Sequence, residues 1–215
     1  MTRSDDLAQL GRLIDVMHTL RARCPWDHEQ THESLMTYLI EETAEVVEAV
    51  ENGSDVQMVE ELGDLLLQVF FHAEIGSEQG AFTLAEVAGG VADKLIERHP
   101  YVYADQSVPE DVWGSWEKRK KAEKHRASAV DDIPDPLSSL ARANKAVTRI
   151  RSNDVDVPLD RTPITAEEAG QAILSIVERA QACHVDPDQA VREAVRALET
   201  QARQAEQAPG NGSGQ

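Results

Sequence analysis

Apolar residues recur along most of the chain at steps of three and four, which is the spacing of amphipathic helices. No run of alternating β-branched residues bounded by turn signals interrupts the pattern, and aromatic residues make up only 4% of the chain. We therefore predict an all-α protein. The predicted helices cover residues 5–23, a segment opening at Thr31 or His32 and ending at 52, a segment ending at Ile75, and residues 83–99, 110–125, 136–150 and 167–180.

The clearest element is a helical hairpin within residues 40–75. Two helical patterns flank Asn52, Gly53 and Ser54, which are residue types that end and begin helices. The two arms should therefore run antiparallel. Along the second arm, from Met58 to Ile75, apolar residues lie on almost every side of the helix. This arm is predicted to be buried in a core.

Four acidic residues lie symmetrically about this break. Glu45 and Glu61 are each eight residues from Gly53, and Glu42 and Asp64 are each eleven residues from it. Because each helical residue rises about 1.5 Å, equal counts mean equal heights. Glu45 should therefore face Glu61, and Glu42 should face Asp64. The other acids of the first arm are expected to point elsewhere: Glu41, Glu48 and Glu51.

The position of these acids on the apolar side of the hairpin indicates a metal site. Buried carboxylates are costly unless they are paired or bound to metal, and no lysine or arginine occurs from Leu35 to Ile75. Oxygen ligands without a cysteine pair or an HExxH motif favour Mg²⁺ or Mn²⁺ over zinc. A solvated acidic helix pair is the alternative interpretation. One polar line follows the second arm: Gln57, Glu61, Asp64, Gln68 and His72.

Two pairs of residues could meet an anionic ligand. Lys94 and Arg98 stand one turn apart on the helix over 83–99 and so share a face. A triphosphate would use such a pair, although an ordinary exposed basic face has the same spacing. Trp116 and Lys120 stand four apart on the next helix, where the indole could stack on a base or only cover a helix junction.

Net charge and composition narrow the class of protein. The formal charge of −18 argues against a nucleic-acid partner, because the phosphate backbone would be repelled. No apolar run approaches the length of a membrane span, and the chain has only two cysteines. We expect a cytoplasmic protein with no membrane partner.

Four motifs in order resemble one known family. The segments EETAE (41–45) and EELGD (60–64) resemble the EExxE and ExxD signature of the all-α nucleoside triphosphate pyrophosphohydrolases. CPWDHEQT (24–31) and ERHPYVYAD (97–105) are similar to the MazG branch, with Tyr103 where phenylalanine is usual. The resemblance covers residues 7 to about 150 strongly and the rest weakly. It implies a four-helix-type MazG bundle.

The resemblance also implies an activity and roles for residues. It implies a Mg²⁺-dependent enzyme that splits NTP or dNTP into the monophosphate and pyrophosphate and clears non-canonical or excess nucleotides. Catalysis would use Glu41 as the acceptor of the water proton, although a solvated helix glutamate is as plausible there. The metal ligands would be Glu42, Glu45, Glu61 and Asp64. The nucleotide ligands would be Lys94, Arg98 and Lys120 for phosphates and Trp116 for the base.

The second half contains a degenerate copy of the first. Residues 167–180 overlay residues 60–73 at a fixed offset, so that Glu61 maps to Glu168 and Asp64 to Gln171. No EExxE motif precedes the copy, and Ala197 and Gln201 take the places of the basic pair. We expect a shortened, non-catalytic second repeat. The predicted domains are a catalytic domain over 1–130, the degenerate half over 131–206, and a disordered tail over 207–215.

Alternative functions follow from the same residues. A narrower relative, such as a dUTP, dCTP or phosphoribosyl-ATP pyrophosphatase, would share the acidic site. A regulatory module that binds nucleotides without hydrolysing them is an alternative function that is not enzymatic. The all-round apolar second arm cannot be covered by a few short helices, so we predict a homodimer with these arms at its centre.

Overall fold

The computed structural model describes residues 2–104 and 106–208, together with the backbone but not the side chain of Trp113. This described part contains helices and no strands, which confirms the all-α prediction. The helices are α1 (Arg3–Arg23), α2 (Pro25–Glu29), α3 (Met36–Asn52), α4 (Asp55–Glu78), α5 (Leu84–Arg98), α6 (Pro100–Tyr103), α7 (Val112–Glu123), α8 (Ser139–Ser152), α9 (Ala166–Ala182) and α10 (Pro187–Gln207). Among the described helices, none is long and apolar enough to cross a lipid bilayer.

The hairpin of α3 and α4 is confirmed, and its turn depends on Gly53. The Gly53 N–H donates to the Ala49 carbonyl and closes α3, while the Ser54 hydroxyl accepts from the Gln57 N–H and opens α4. A Cβ atom on Gly53 would lie 2.7 Å from both the Cα and the carbonyl oxygen of Ala49. The turn is therefore tight enough to exclude any side chain at this position.

The start of α3 differs from the prediction. We expected a helix from Thr31 or His32, but α3 begins at Met36. The Thr31 N–H donates to the Ser34 hydroxyl, and the Ser34 N–H donates to the Thr31 hydroxyl. These side-chain bonds hold a turn and compete with the first helical hydrogen bonds, which is a property of serine and threonine near helix ends.

The described chain divides at His99 and Pro100 into two compact units. The core of the first unit gathers at the C-terminal half of α4, around Phe70, Phe71 and Ile75. Met17 from α1 and Leu35 complete this cluster. Among the described residues, α4 contributes nothing before Leu67 to this cluster.

The single chain does not cover all of α4, whose burial was predicted at the centre of a homodimer. Val56 is 75% exposed, Val59 is 73% exposed and Leu62 is 48% exposed. Since a single neighbouring helix can cover only one side of α4, the remaining apolar sides face outward.

The second unit is built on α8 and α10, which pack around Ala146, Ile150, Val195 and Ala202. The predicted helix over 136–150 is observed as Ser139–Ser152. Before α8, Val130 and Ile133 are buried in this core, whereas residues 134–138 are exposed. Helix α9 contributes no buried residue.

The division of the chain at His99 lies before the predicted domain boundary at residue 130. A compact unit and a sequence repeat are different divisions, so the predicted domains stay predictions. The predicted disordered tail falls largely on residues 209–215, which lie outside the described residues.

Candidate functional site

The hairpin brings three of the predicted acids together. Oxygen atoms of Glu42, Glu45 and Glu61 all lie within 4.8 Å of one another. Glu42 and Glu45 come from α3, and Glu61 comes from α4. Glu45 and Glu61 lie at equal counts from the turn at Gly53 and meet in this cluster, whereas the facing of Glu42 and Asp64 stays a prediction.

Asp64 belongs to the same acidic cluster electrostatically. Burial, followed by the charges of Asp64 and Glu45, raises the pKa of Glu42. Burial, followed by Glu45, Glu60 and then Asp64, raises the pKa of Glu61. Burial is the larger cause of both shifts, and the neighbouring carboxylate charges add to it.

No protein cation neutralises this cluster in the part of the chain that the structure describes. The ion pairs of residues 2–104 and 106–208 include none between a lysine or arginine and Glu42, Glu45, Glu61 or Asp64. Converging carboxylate oxygens without a counter-charge fit a hard divalent cation such as Mg²⁺ or Mn²⁺, which prefers oxygen ligands.

A polar recess of about 230 Å³ lies beside the acids at the turn end of the hairpin. Glu45 and Glu61 line it together with Glu48, Asn52 and Gln57. Glu48, which was expected to point away from the four acids, is exposed and lines this recess, but it is not among the converging carboxylates.

Glu41 lies outside the cluster of converging oxygens. It is exposed on α3, next to the half-buried Glu42. Its predicted role as a proton acceptor stays a prediction.

The polar line of α4 continues from the acids into the core. Gln68 is buried, and its side-chain oxygen has no hydrogen-bond partner among the described residues. His72 stacks on His32, with 2.7 Å between their Nδ1 atoms. Burial, and then the charge of His32, lowers the pKa of His72.

Lys94 and Arg98 occupy the last turns of α5. Arg98 is only 6% exposed, and Lys94 is half-buried. An ordinary exposed basic face is therefore not what α5 presents at this end. Their contact with phosphate stays a prediction.

Trp116 and Lys120 form a pair on α7 in the second unit. The Lys120 ammonium lies 5.5 Å from the centre of the Trp116 ring and 2.8 Å from a carboxylate oxygen of Glu117. Glu117 is buried. The sequence reasoning missed it, although it immediately follows Trp116. Nucleotide binding by this pair stays a prediction.

The degenerate copy uses its acid for another purpose. The Glu168 carboxylate accepts hydrogen bonds from the N–H and hydroxyl of Thr165 and so caps α9. These bonds lower the pKa of Glu168. Gln171, Ala197 and Gln201 are all exposed. A capping role accounts for Glu168 without a metal.

The family described as the MazG nucleotide pyrophosphohydrolase domain matches residues 30–103. The matched segment contains the hairpin, all four acids and the pair on α5. It ends before Trp116 and Lys120.

Three curated relatives are similar to this chain. The nucleoside triphosphate pyrophosphohydrolase/pyrophosphatase MazG of Thermotoga maritima is 38% identical over 210 residues, which are 86% of this chain and 80% of the relative. The nucleoside triphosphate pyrophosphohydrolase of Mycobacterium tuberculosis is 44% identical over 161 residues, 72% of this chain and 50% of that protein. The uncharacterized protein YabN of Bacillus subtilis is 46% identical over 126 residues, 57% of this chain and 26% of that protein.

Proposed function

Because this chain belongs to the MazG nucleotide pyrophosphohydrolase family, we propose that it hydrolyses NTP or dNTP to the nucleoside monophosphate and pyrophosphate. The proposed role is house-cleaning of non-canonical or excess nucleotides. One observation carries the proposal: Glu42, Glu45 and Glu61 converge within 4.8 Å on opposed helices. The chain spans only 26% of the Bacillus relative and 50% of the Mycobacterium relative, so their further activities are not transferred.

Metal binding is assigned to the four acids of the hairpin. Enzymes of this family depend on metal, and the cluster offers hard oxygen ligands without a protein counter-charge. We propose that Glu42, Glu45, Glu61 and Asp64 hold Mg²⁺, with Mn²⁺ as a possible replacement. The bound ion would supply electrophilic polarisation of the phosphoryl oxygens and orientation of the attacking water.

The remaining roles are proposed for five residues that are not metal ligands. Glu41, exposed beside Glu42, would accept the proton of the attacking water. Lys94 and Arg98 would neutralise the distal phosphates, with Arg98 as a bidentate donor. Trp116 would stack on the base, and Lys120 would add a further charge to the phosphates.

A homodimer is proposed from the uncovered apolar side of α4. Val56 and Val59 are exposed there, and an apolar groove of about 680 Å³ runs between α1, α4 and α5. Ile14, Leu66 and Val69 line this groove. Apolar surface of this extent is characteristic of interfaces. A second copy would bury the second arm as the sequence pattern requires. Location in the cytoplasm stays a prediction.

Phosphorus NMR of the reaction products tests the proposed activity. With Mg²⁺ and a mixture of triphosphates, we expect pyrophosphate and monophosphates, and no reaction when a chelator removes the metal. Glu42→Gln should lower kcat/KM at least about 100-fold, because it removes one ligand charge from the centre of the cluster. The matched control is Glu51→Gln, an exposed glutamate on the same helix.

Other outcomes of this measurement decide between the alternatives. Release of orthophosphate would overturn the proposed bond specificity. Binding without turnover, for every triphosphate tested, would favour a sensing module. Turnover of a single pyrimidine or of phosphoribosyl-ATP would identify a narrower enzyme.

A further inference from the structure

A cluster of cations surrounds one buried carboxylate in the second unit. Helices α7 and α8 pack against each other there. Glu117 on α7 is 7% exposed, with Lys120 2.8 Å from one of its oxygens and the Arg149 Nε 3.8 Å from the other. Lys145 stands one turn before Arg149 on α8 and interacts electrostatically with Glu117, Lys120 and Arg149. Asp131 and Asp132 also act on Arg149, but each of them pairs with another arginine, which leaves Glu117 as the carboxylate in ion-pair contact with Lys120 and Arg149.

The other lysines of α7 do not share a carboxylate with further cations. Lys118 pairs with Asp154 at 2.7 Å, and Lys121 pairs with Glu206 at 2.6 Å. Each of these lysines has a carboxylate of its own. In a chain of net charge −18, a cluster in which two lysines and an arginine lie around one buried glutamate is the exception.

A second, independent observation comes from Arg149. Arg149 is only 4% exposed, and its Nε atom has no hydrogen-bond partner within the described part of the chain. Buried donors are nearly always paired, so an orphaned guanidinium N–H indicates a missing acceptor. The 3.8 Å separation from Glu117 is too long for that carboxylate to be this acceptor.

Lys145 also lacks an acceptor for its ammonium group among the described residues. It makes no hydrogen bond or ion pair with any described residue, although it is half-buried. Burial, and then the charges of Arg149 and Lys120, lowers the pKa of Lys145. An anion near its ammonium would favour the charged form and raise the pKa of Lys145 again.

A purely structural role explains only part of the cluster. The Arg149 Nη1 donates to the Asp131 carbonyl at 2.6 Å and so holds the segment before α8. The nearby Arg126 pairs with Asp132 at 3.2 Å and is compensated. Neither contact uses the Arg149 Nε or the Lys145 ammonium.

We propose that Lys120, Lys145 and Arg149 form a binding site for a phosphoryl or pyrophosphoryl group. Two lysine ammonium groups supply charge, and the free N–H of Arg149 supplies a directed donor. Glu117 keeps Lys120 in place and leaves the cluster positive. The identification of the ligand as phosphate of a nucleotide or of its product rests on the proposed function, whereas binding of the anion does not.

Calorimetric titration of the metal-free full chain with inorganic pyrophosphate tests the site. The wild type should bind, and Lys145→Gln should weaken binding at least about tenfold, because it removes a charge-assisted contact. Lys145→Arg should retain binding. Lys124→Gln is the matched control, since Lys124 is an exposed lysine at the end of α7 with no described side-chain partner and should bind like the wild type.

Two results of this titration would overturn the site. One is equal affinity of the wild type and Lys145→Gln. The other is absence of pyrophosphate binding by a wild-type chain whose circular dichroism shows it folded. Neither result depends on hydrolysis, so the site can fail while the proposed function stands, and the reverse.

Steady-state kinetics of the same variants separates the two sources of the anion. If the site takes substrate phosphates, Lys145→Gln should raise KM for the triphosphate severalfold and leave kcat nearly unchanged. If it takes released pyrophosphate, only the inhibition constant of pyrophosphate should rise. No change in either constant would overturn the link to the nucleotide reaction.

Discussion

Glu42 lies where its neighbours make its charge unfavourable. Burial and the nearby Asp64 and Glu45 raise its pKa, so the ionised form is destabilised at neutral pH. Carboxylates with pKa values shifted in this way are common at functional sites. A bound dication would make the same arrangement favourable, because the attraction of each carboxylate to the metal would outweigh the repulsion between the carboxylates.

Removal of this charge should separate stability from activity. We expect Glu42→Gln to raise the melting temperature of the metal-free protein at pH 7, because it relieves repulsion, while it lowers activity as described above. Mg²⁺ should raise the melting temperature of the wild type more than that of the variant. Differential scanning calorimetry with and without Mg²⁺ measures both shifts. A variant that melts below the wild type without metal would contradict the account.

Arg21 and Glu78 form an attractive ion pair, in contrast to the repelling carboxylates around Glu42. Arg21 is 5% exposed, and its Nε donates to Glu78 at 2.9 Å. This hydrogen bond lowers the pKa of Glu78 below its usual 4.5. The ion pair joins α1 to the C-terminal end of α4.

The pair should give a pH-dependent contribution to stability. Because the pKa of Glu78 is lower in the folded state, the contribution is complete above pH 4.5 and is lost as the pH falls through the folded-state value. Glu78→Gln should cost about 1 kcal/mol or less at pH 7, since the Glu78 side chain is 40% exposed. Urea unfolding at pH 7 and pH 3 should show this difference shrink. A difference that grows in acid would contradict the assignment.

At the scale of the element, the hairpin could be predicted because its determinants are local. The break at residues 52–54 and a constant rise on each arm fix the level of Glu45 and Glu61. The start of α3 was missed because a reciprocal bond between Thr31 and Ser34 stabilises a turn, and propensity does not reveal such a pairing. Burial of Val130 in the second unit was missed because it depends on α8 and α10, which are remote in sequence.

The turn of the hairpin should not tolerate a side chain. Gly53→Ala would place a Cβ 2.7 Å from backbone atoms of Ala49, and we expect a loss of about 1–3 kcal/mol in unfolding free energy. Metal affinity should fall as well, because the turn sets the level of the two arms. Gly170→Ala is the control, since a Cβ there meets nothing within 4 Å and should stabilise α9 by about 0.5–1 kcal/mol. Equal effects of the two substitutions in chemical denaturation would contradict this role of the turn.

At the scale of the whole molecule, α4 separates pattern from environment. Its apolar residues predicted burial, yet Val56 and Val59 are exposed in the single chain. The apolar pattern of α4 calls for a covering surface on every side, and a single chain provides only part of that surface. The proposed homodimer reconciles the two.

Disruption of this face should change the mass of the protein in solution. Light scattering should give about twice the chain mass of 23.7 kDa for the wild type. Val59→Lys should yield the monomer mass, because it places a charge on the apolar face. Val108→Lys, at an exposed valine of the second unit, is the control and should remain dimeric. A wild-type monomer would contradict the proposal.

The most direct measurement for the whole account is Mn²⁺ binding followed by electron paramagnetic resonance. The wild type should bind Mn²⁺ in competition with Mg²⁺, and Glu61→Gln should weaken the affinity at least about tenfold, because one arm of the hairpin loses its ligand. Glu51→Gln should bind like the wild type. Equal Mn²⁺ affinity of the wild type and Glu61→Gln would contradict the claim that the opposed acids hold the metal.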